Sequence, residues 1–355
     1  MNYKNILITG GAGFVGSNLA IGLKSQYPDI KVTALDSLKR RGSELNLDRL
    51  KEHGVHFLHA DIRNPEDLAF ADEVEVIIEC SAEPSVLAGY GSNPLYMLQT
   101  NLVGTINCLE LARVKGADFI FLSTSRVYPY EEINKIKYRE AETRFLWELN
   151  QALPGWSPAG IDVGFPLDGP RTLYGATKLA SELLIMEYAN LYNIQAIINR
   201  CGVIAGPWQF GKVDQGVFSF WVMAHVFRRP LTYIGYGGSG KQVRDLLHIE
   251  DFCHLIDLQL NDMGKGSGKI YNIGGGKEVS LSLLECTQIC KEITGNEIAI
   301  ESETKEREGD VAIYITDNRR VHEDYGWQPR KDAQTVLLDI YNWIRAYGDR
   351  LWQLN

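Results

Sequence analysis

Short apolar runs alternate with longer stretches of helical periodicity along the N-terminal part of the chain. Runs with the length and surroundings of a buried strand occupy residues 6–8, 31–35, 55–58, 74–80 and 119–123. Helical stretches follow the strands, and with a further strand over 195–200 they make six strand–helix units in series. The alternation predicts an α/β fold built on a doubly wound parallel sheet, whose ligands bind beyond the carboxyl ends of the strands.

The first of these runs leads into a glycine-rich turn and a helix. From residue 4 the chain reads KNILITGGAGFVG, and apolar positions then recur at helical spacing. Gly10 permits a tight turn, Gly13 allows the backbone to approach a pyrophosphate, and Gly16 lets the helix pack on the strand. The helix N-terminus offers free N–H groups and a positive dipole end to phosphate. We therefore predict a dinucleotide site on a Rossmann-type sheet, in preference to a turn with only a structural role.

The second run ends in a carboxylate at the place where a dinucleotide site needs one. Asp36 follows Gly16 by 20 residues, and its side chain is expected to bind the ribose hydroxyls. A carboxylate there repels a 2′-phosphate, so NAD is favoured over NADP as the cofactor. The basic residues Lys39, Arg40 and Arg41 lie close by and weaken that preference.

The chain between residues 95 and 205 is predicted to complete the dinucleotide-binding domain, 1–205. A long helix is expected over 95–115, with one apolar face made of Leu98, Leu102, Ile106, Leu109 and Ala112. Residues 129–170 are rich in turn and aromatic residues and are predicted to form an ordered active-site flap. Helix resumes over 174–192 and is followed by a strand over 195–200.

Residues 206–355 have less regular units. Strands are predicted over 231–234 and 270–273, and helices over 218–227, 251–260, 281–293 and 334–347. We interpret this part as a smaller α/β substrate-binding lobe that covers the edge of the sheet. Its boundary with the first domain is expected to be interleaved.

Composition and charge are those of an ordinary globular protein. The 355 residues are 45% hydrophobic and 23% charged, with a net charge of −9 at pH 7, which argues against a general nucleic-acid binder. Neither a signal-peptide pattern nor an apolar run of bilayer length is present, so we expect a cytoplasmic protein without membrane contact. Free thiols in a reducing compartment are expected at Cys80, Cys108, Cys201, Cys253, Cys286 and Cys290.

A tyrosine and a lysine share one face at the start of the helix over 174–192. In the run YGATK, Tyr174 and Lys178 are four residues apart. A phenol has a pKa of about 10 in water, and a nearby ammonium lowers it by stabilising phenolate. The pair can then take a hydroxyl proton while hydride leaves the same carbon, and a hydroxyl of Ser123, Thr124 or Ser125 can bind the reacting oxygen. The alternative is a structural helix start with a packed tyrosine and a solvated lysine.

Short motifs are distributed along nearly the whole chain. They are GGAGFVG, Asp36, HADIR (59–63), NLVGT (101–105), STSRVYP (123–129), YGATK, GKQVRDLLHIED (240–251), YNIGGG (271–276) and REGD (307–310). Together they resemble the extended short-chain dehydrogenase/reductases, which act mostly on nucleotide sugars. The resemblance implies a nucleotide-diphosphate sugar as substrate, NAD as cofactor and a homo-oligomer, either a dimer or a tetramer.

The same resemblance implies roles for individual residues. It makes Thr124, Tyr174 and Lys178 the catalytic group. NAD is expected to lie along Gly10, Gly13, Phe14, Val15, Gly16, Asp36, Asp61, Ile62, Ala82, Asn101, Tyr174 and Lys178. Substrate is expected to contact Thr124, Arg244, Arg307 and Asp310, the last three holding the nucleotide diphosphate. Arginine suits that role, because its planar guanidinium pairs well with phosphate oxygens.

Within the family, the chain is similar to epimerases that invert C2 of a CDP-linked deoxyhexose. The similarity rests on REAETR (139–144), Gly160-Ile161-Asp162, Leu167-Asp168 and Asp214-Gln215-Gly216. The chain departs from the family at Cys80-Ser81-Ala82-Glu83, where members often have His-Leu-Ala-Ala, and at Pro129, which replaces a glycine. Glu83 and Pro84 are expected to border the substrate pocket.

Three functional hypotheses remain open. The first is an epimerase that oxidises a sugar carbon, lets the keto sugar rotate and reduces it again, acting on a CDP-deoxyhexose or, as a UDP-hexose 4-epimerase, at C4. The second is a nucleotide-sugar 4,6-dehydratase, and the third is an NAD-sensing regulator without turnover. Dehydratases of this family carry Asp-Glu after the catalytic threonine, whereas this chain has Ser125-Arg126. Because arginine is a poor general acid, the epimerase is favoured.

The remaining conspicuous residues are interpreted as structural. His248 and His254 lack HExxH spacing, so no metal site is expected. Cys286 and Cys290 lie one helical turn apart and are predicted to pack in the core. Trp343 and Trp352 are expected to pack the last helix or a subunit contact.

Overall fold

The computed structural model describes residues 1–69, 71, 73–91, 93–211 and 216–352, whose elements alternate between strand and helix. Those before residue 125 are β1 (Asn5–Thr9), α1 (Phe14–Gln26), β2 (Lys31–Asp36), α2 (Asn46–Glu52), β3 (His56–His59), α3 (Pro65–Leu68), β4 (Val76–Glu79), α4 (Leu95–Leu98), α5 (Gly104–Lys115) and β5 (Asp118–Thr124). Next come α6 (Tyr130–Asn134), β6 (Tyr138–Glu140), β7 (Phe145–Trp147), β8 (Trp156–Ser157), β9 (Gly160–Ile161), α7 (Leu173–Tyr192) and β10 (Ala196–Cys201).

The remaining elements of the described chain are seven strands and six α-helices. They are β11 (Val203–Ala205), α8 (Val217–Val226), β12 (Leu231–Ile234), β13 (Val243–His248), α9 (Ile249–Asn261), α10 (Met263–Gly266), β14 (Lys269–Ile273), β15 (Ser280–Ser282), α11 (Leu283–Thr294), β16 (Ile300–Glu303), β17 (Ile313–Tyr314), α12 (Arg319–Tyr325) and α13 (Ala333–Trp352).

The chain divides into two compact units that are interleaved in sequence. The first contains Met1–Val127, Leu173–Arg200 and Phe252–Tyr271, and the second contains the segments between and after them. A single boundary near residue 205 therefore does not describe the division. The predicted flap packs with the second unit, and residues 252–271 pack with the first.

The first unit is built on a seven-stranded sheet in the order β14–β10–β5–β4–β1–β2–β3. β1 pairs in parallel with β2 and β4, β2 with β3, and β4 with β5. Side chains of both strand faces are buried, such as Leu7 and Ile8 in β1, as expected for strands that helices cover on both sides. The predicted doubly wound parallel sheet is confirmed. The strand predicted over 270–273 was placed wrongly in the covering lobe, since β14 joins this sheet as its edge.

The predicted long helix contains a π-helical turn, Gln99–Val103, between α4 and α5. Its inward face was predicted wrongly in its first half, where the assigned residues Leu98, Leu102 and Ile106 are only half-buried. Met97, Asn101 and Thr105 are buried instead. A π turn holds more residues than an α turn, so the side chains that follow it point in a different direction around the helix axis than the sequence spacing predicts. Leu109 and Ala112, farther along, lie in the core as predicted.

The second unit has its own sheet and core. β13 pairs in parallel with β11 and β17 and antiparallel with β15. Side chains of α8, α11 and α13 form its main apolar cluster, in which Trp343 is buried and both Cys286 and Cys290 are fully buried. The core role predicted for these two cysteines is confirmed. Within the described residues, no helix has the length and apolar character to cross a membrane.

The predicted flap contains two small hairpins, β6–β7 and β8–β9. The Arg144 guanidinium fastens it within the second unit by donating to the Glu285 carboxylate at 2.8 Å and to the Ser280 carbonyl at 2.7 Å. The Tyr128 hydroxyl donates to the Asn272 amide oxygen at 2.7 Å. The flap is therefore held within the second unit by partly buried contacts of Arg144 near its middle and by a buried hydrogen bond of Tyr128, the residue before it.

Candidate active site

The glycine-rich turn between β1 and α1 leaves no room for a Cβ at three of its glycines. Gly10 has a φ of +64°, and a Cβ on Gly16 would lie 2.2 Å from the Gly10 carbonyl oxygen. A Cβ on Gly11 would lie 2.6 Å from Ala34 of β2. α1 begins at Phe14 with Gly13 as its N-cap, so the first N–H groups of the helix are available beside Phe14 and Val15. The geometry is that of a phosphate cradle at a helix N-terminus.

Asp36 ends β2 and is already fixed in position by this turn. Its carboxylate accepts hydrogen bonds from the N–H groups of Leu38 at 2.8 Å and Ala12 at 3.1 Å. Burial raises the pKa of the Asp36 carboxyl, against the same backbone N–H groups, which lower it. The turn and the carboxylate together fit a dinucleotide, with phosphates at the glycines and ribose hydroxyls at Asp36.

Asp61 and Ile62 follow β3 at the same end of the sheet. The Arg63 guanidinium donates to both Asp61 oxygens at 3.0 Å, and its Cζ lies 4.9 Å from the centre of the Tyr96 ring. Burial works to raise the pKa of Asp61, but the hydrogen bonds from Arg63 hold it below its ordinary value. Ile62 is buried, and its carbonyl accepts from the Asn107 amide at 2.8 Å. Both residues are held firmly where the resemblance places cofactor.

Asn101 lies in the π-helical turn and is fully buried. Its amide oxygen accepts from the Glu83 N–H at 2.7 Å, and its Nδ2 donates to the Glu83 carbonyl at 3.0 Å. This pairing fixes the backbone that follows β4, including the neighbouring half-buried Ala82. The Asn101 side chain thus fixes the conformation of the loop after β4. The NLVGT motif alone did not predict this role.

Thr124, Tyr174 and Lys178 are all supplied by the first unit. Thr124 ends β5 and is buried, and its hydroxyl oxygen accepts from the Arg126 N–H at 3.2 Å. Tyr174 is half-buried in the first turn of α7, and Lys178 follows one turn later with only 2% of its surface exposed. The Lys178 Nζ lies 3.9 Å from the centre of the Phe121 ring. The structural alternative with a solvated lysine is therefore wrong.

The start of α7 is packed tightly against the turn that follows Thr124. A Cβ on Gly175 would lie 2.0 Å from the Arg126 carbonyl oxygen. Only glycine allows this approach, so the helix that carries Tyr174 and Lys178 is set directly on the strand end that carries Thr124. The glycine inside YGATK is therefore needed for this close packing of the helix on the turn, and not for forming a turn of its own.

A buried ion pair behind the site was missed by sequence reasoning. Glu182 of α7 accepts from the Arg200 guanidinium at 2.7 Å and from the Ser123 hydroxyl. The side chains of Arg200 and Glu182 are only 3% and 2% exposed. The pair links α7 to β10. Through Glu182 it also contacts Ser123, which is the residue before Thr124 on β5. The signal available in the sequence was an arginine near the end of the mainly apolar strand β10.

The predicted diphosphate residues belong to the second unit. Arg244 of β13 donates to the Asp310 carboxylate at 2.6 Å and to the Val311 carbonyl at 2.7 Å. Arg307 is half-buried, and its carbonyl accepts from the Asp310 N–H at 3.2 Å. The structure thus brings Arg244 and Asp310 together as an ion pair, and the turn from 307 to 310 joins Arg307 to them.

The remaining residues singled out in the sequence lie away from these contacts or outside the described chain. The described part of the chain contains no group of three or more histidine, cysteine or acidic side chains that could hold a metal ion. His248 is buried and accepts from the Glu250 N–H at 3.1 Å. Asp214 and Gln215, which contributed to the resemblance, lie outside the described residues.

Comparison with known proteins adds a family and several relatives. The NAD dependent epimerase/dehydratase family matches residues 6–274. The CDP-paratose 2-epimerase of Salmonella typhi is 31% identical over 96% of this chain and 99% of its own length. A putative UDP-glucose 4-epimerase of Methanocaldococcus jannaschii is 30% identical over 96% and 98%. A solved structure of a dTDP-glucose 4,6-dehydratase from Streptomyces venezuelae, with NAD and DAU bound, is 26% identical, with a TM-score of 0.78 over 99% of this chain and 100% of that one.

Proposed function

The chain belongs to the NAD-dependent epimerase/dehydratase family of nucleotide-sugar enzymes and its cofactor is NAD, and on that premise we propose that it is an isomerase that inverts C2 of a CDP-linked deoxyhexose. The reaction would convert CDP-paratose to CDP-tyvelose. Similarity to a CDP-paratose 2-epimerase over nearly the whole chain supports this substrate. The residues that follow Thr124 support epimerisation over dehydration.

The turn after Thr124 is the observation that carries the reaction class. Ser125, Arg126 and Val127 form a 3₁₀ turn directly after the strand, where the dehydratases that the chain resembles have Asp-Glu. A dehydratase must protonate a leaving hydroxyl and remove a proton next to a ketone. Serine and arginine are poor groups for both steps, because arginine does not give up its proton in proteins. An epimerase needs neither step.

The side chains of the first unit have defined tasks in this reaction. NAD supplies reversible hydride transfer at one sugar carbon. Tyr174 takes the proton of the hydroxyl on that carbon and returns it when the ketone is reduced. Lys178 stabilises the phenolate by its charge, and the Thr124 hydroxyl binds the reacting oxygen. Between the two steps the ketone presents its other face, while Arg244 and Arg307 hold the nucleotide diphosphate and Asp310 orients the Arg244 guanidinium.

The reaction can be tested in heavy water. We expect purified protein to interconvert CDP-paratose and CDP-tyvelose without added NAD, because the cycle has no net redox change. The hydrogen on C2 does not exchange with solvent in this mechanism, so NMR of the product should find no deuterium on carbon. Boiled protein and UDP-glucose serve as controls.

Three outcomes would contradict the proposal. Deuterium on a ring carbon or at C6 would indicate an enolising epimerase or a dehydratase. Inversion at C4 of a UDP-hexose without deuterium would keep the mechanism and move the assignment to a UDP-hexose 4-epimerase. No turnover of any CDP- or UDP-hexose, by protein that retains NAD, would favour a regulator that senses the cofactor.

Replacement of Arg244 by alanine tests the proposed grip on the diphosphate. If Arg244 binds the diphosphate equally in the ground and transition states, KM should rise by roughly tenfold or more while kcat changes little. Arg307→Ala should act in the same direction. Arg319→Ala removes a largely exposed arginine of the same unit, paired with Asp317, and should leave KM unchanged. An unaltered KM in both test variants would show that these arginines do not hold substrate.

A further inference from the structure

A carboxyl group lies at the centre of the parallel sheet. Glu79 is the last residue of β4, which pairs with β1 on one side and β5 on the other, and none of its surface is exposed. Its Oε1 accepts from the Thr105 hydroxyl at 2.7 Å. Its Oε2 has no hydrogen-bond partner among the described residues. An ionised carboxylate in such a place needs a compensating charge.

The Lys178 ammonium supplies that charge. Its Nζ lies over the ring of Phe121, which is the register partner of Glu79 on β5. Its positive charge acts on both Glu79 and Cys108, so the three groups share one buried region. Burial raises the pKa of Glu79 to about 7, against the charge of Lys178 and the hydrogen bond from Thr105, which lower it.

The hydroxyl groups around Glu79 can serve both of its protonation states. The Thr105 Oγ1 lies 2.7 Å from the Glu79 carboxyl and 3.0 Å from the Asn101 carbonyl, but it has one proton to donate. The Ser181 Oγ likewise lies 3.0 Å from the carbonyls of Asn101 and Thr177. If Glu79 is ionised, Thr105 donates to it and Ser181 donates to Asn101. If Glu79 is protonated, it donates to Thr105, and each hydroxyl turns to its other acceptor.

We propose that Glu79 is a positioning residue for the catalytic pair, because its carboxylate balances the buried charge of Lys178 and keeps that side chain an ammonium. The inference rests on the proposed function only where it concerns turnover. A buried ammonium without a counter-charge loses its proton readily. Neutral Lys178 would no longer stabilise the phenolate of Tyr174, and the proton transfer would then require a higher pH.

The groups that face Glu79 are few in the described structure. α7 contributes Lys178, and α5 contributes Thr105 and Cys108, whose thiol pKa is raised by burial and by the charge of Glu79. The register partners on the flanking strands are Thr9 and Phe121, neither of which titrates. Lys178 is therefore the cation whose protonation depends most directly on Glu79.

The charge of Lys178 can be measured without any substrate. In protein labelled with ¹⁵N-lysine, the Nζ resonance distinguishes ammonium from amine, and its absence in Lys178→Met assigns the signal. We expect the wild-type signal to stay in the ammonium range at pH 8 and to shift with a midpoint near pH 7, where Glu79 ionises. In Glu79→Gln we expect Lys178 itself to lose its proton below pH 8, so that the Nζ signal at pH 8 lies in the amine range instead of the ammonium range.

Two further variants separate charge from packing. Glu79→Asp keeps the charge and should retain the ammonium signal. Thr105→Val keeps Glu79 but removes the hydroxyl that stabilises its ionised form, so the midpoint should move to higher pH. If Glu79→Gln does not fold, the pH midpoint of the Lys178 Nζ signal in Thr105→Val tests the proposal in its place. An ammonium signal that persists in folded Glu79→Gln, or a midpoint unmoved in Thr105→Val, would overturn the proposal.

Turnover provides a second readout. In Glu79→Gln, the acidic limb of the pH profile of kcat should move up by about one pH unit, which lowers turnover on that limb about tenfold. A downward shift would mean that Glu79 acts directly on Tyr174 by repulsion, and would contradict a role through Lys178. Because the lysine signal is read without substrate, absence of turnover in the wild type would count against the proposed function alone.

Discussion

Replacement of Tyr174 by phenylalanine is expected to lower turnover by roughly 10² or more while the fold stays intact. The change removes only the phenolic oxygen that takes and returns the hydroxyl proton. The half-buried ring remains in the first turn of α7, so packing against neighbouring residues is preserved. Lys178→Met should have a similar effect, since it removes the charge that stabilises the phenolate.

A matched control is available on the same helix. The Tyr188 hydroxyl donates to the Glu110 carboxylate at 2.6 Å, away from the catalytic turn of α7. Tyr188→Phe makes the same chemical change and should leave kcat within about twofold. Initial rates, thermal unfolding and bound NAD should be measured for each variant. Near-normal turnover in Tyr174→Phe would exclude the proton transfer that we propose.

Replacement of Arg200 by methionine is expected to reduce the free energy of unfolding by about 3–5 kcal/mol. Arg200 is the counter-charge of Glu182, and both side chains are almost completely buried. Methionine fills a similar volume but leaves the Glu182 carboxylate in the protein interior without its cation. The loss should also weaken the hold on Ser123, next to Thr124, and so reduce turnover.

Urea unfolding followed by circular dichroism measures this effect. Arg113→Met is the control, because it removes an arginine that pairs with Glu110 at the surface, and it should leave the unfolding midpoint unchanged. Combining Arg200→Met with Glu182→Leu should restore much of the stability, because two apolar side chains leave no buried charge. A midpoint in Arg200→Met equal to that of the wild type would show that the pair contributes little.

Much of the first unit follows from local patterns in the sequence. The buried strands are short apolar runs. The turn after β1 requires glycine at positions 10 and 16, because a Cβ at either position would clash with backbone atoms. Tyr174 and Lys178 lie one turn apart on α7 because helical spacing requires it. These features depend on neighbours in sequence, so the sequence alone predicts them.

What was not predicted depends on contacts between distant residues. The π-helical turn around Asn101 changes the buried face of a helix whose composition gives no warning of it. Nothing in the sequence near Glu182 or Arg200 predicts that they form an ion pair, because the pair depends on the packing of α7 against β10. Glu79 ends a strand that was read as apolar, and only the packing of α5 and α7 on it identifies its partners.

The late return of β14 to the sheet bears on how the protein is synthesised. The ribosome releases β10 well before β14, which covers its edge, and residues of the second unit emerge between the two. During that interval the nascent chain carries an apolar, unpaired strand edge of the kind that recruits chaperones or aggregates. A chain shortened to about residue 205 would lack β14 and keep that edge of β10 unpaired, so we expect a stable first unit to require the residues through Ile273.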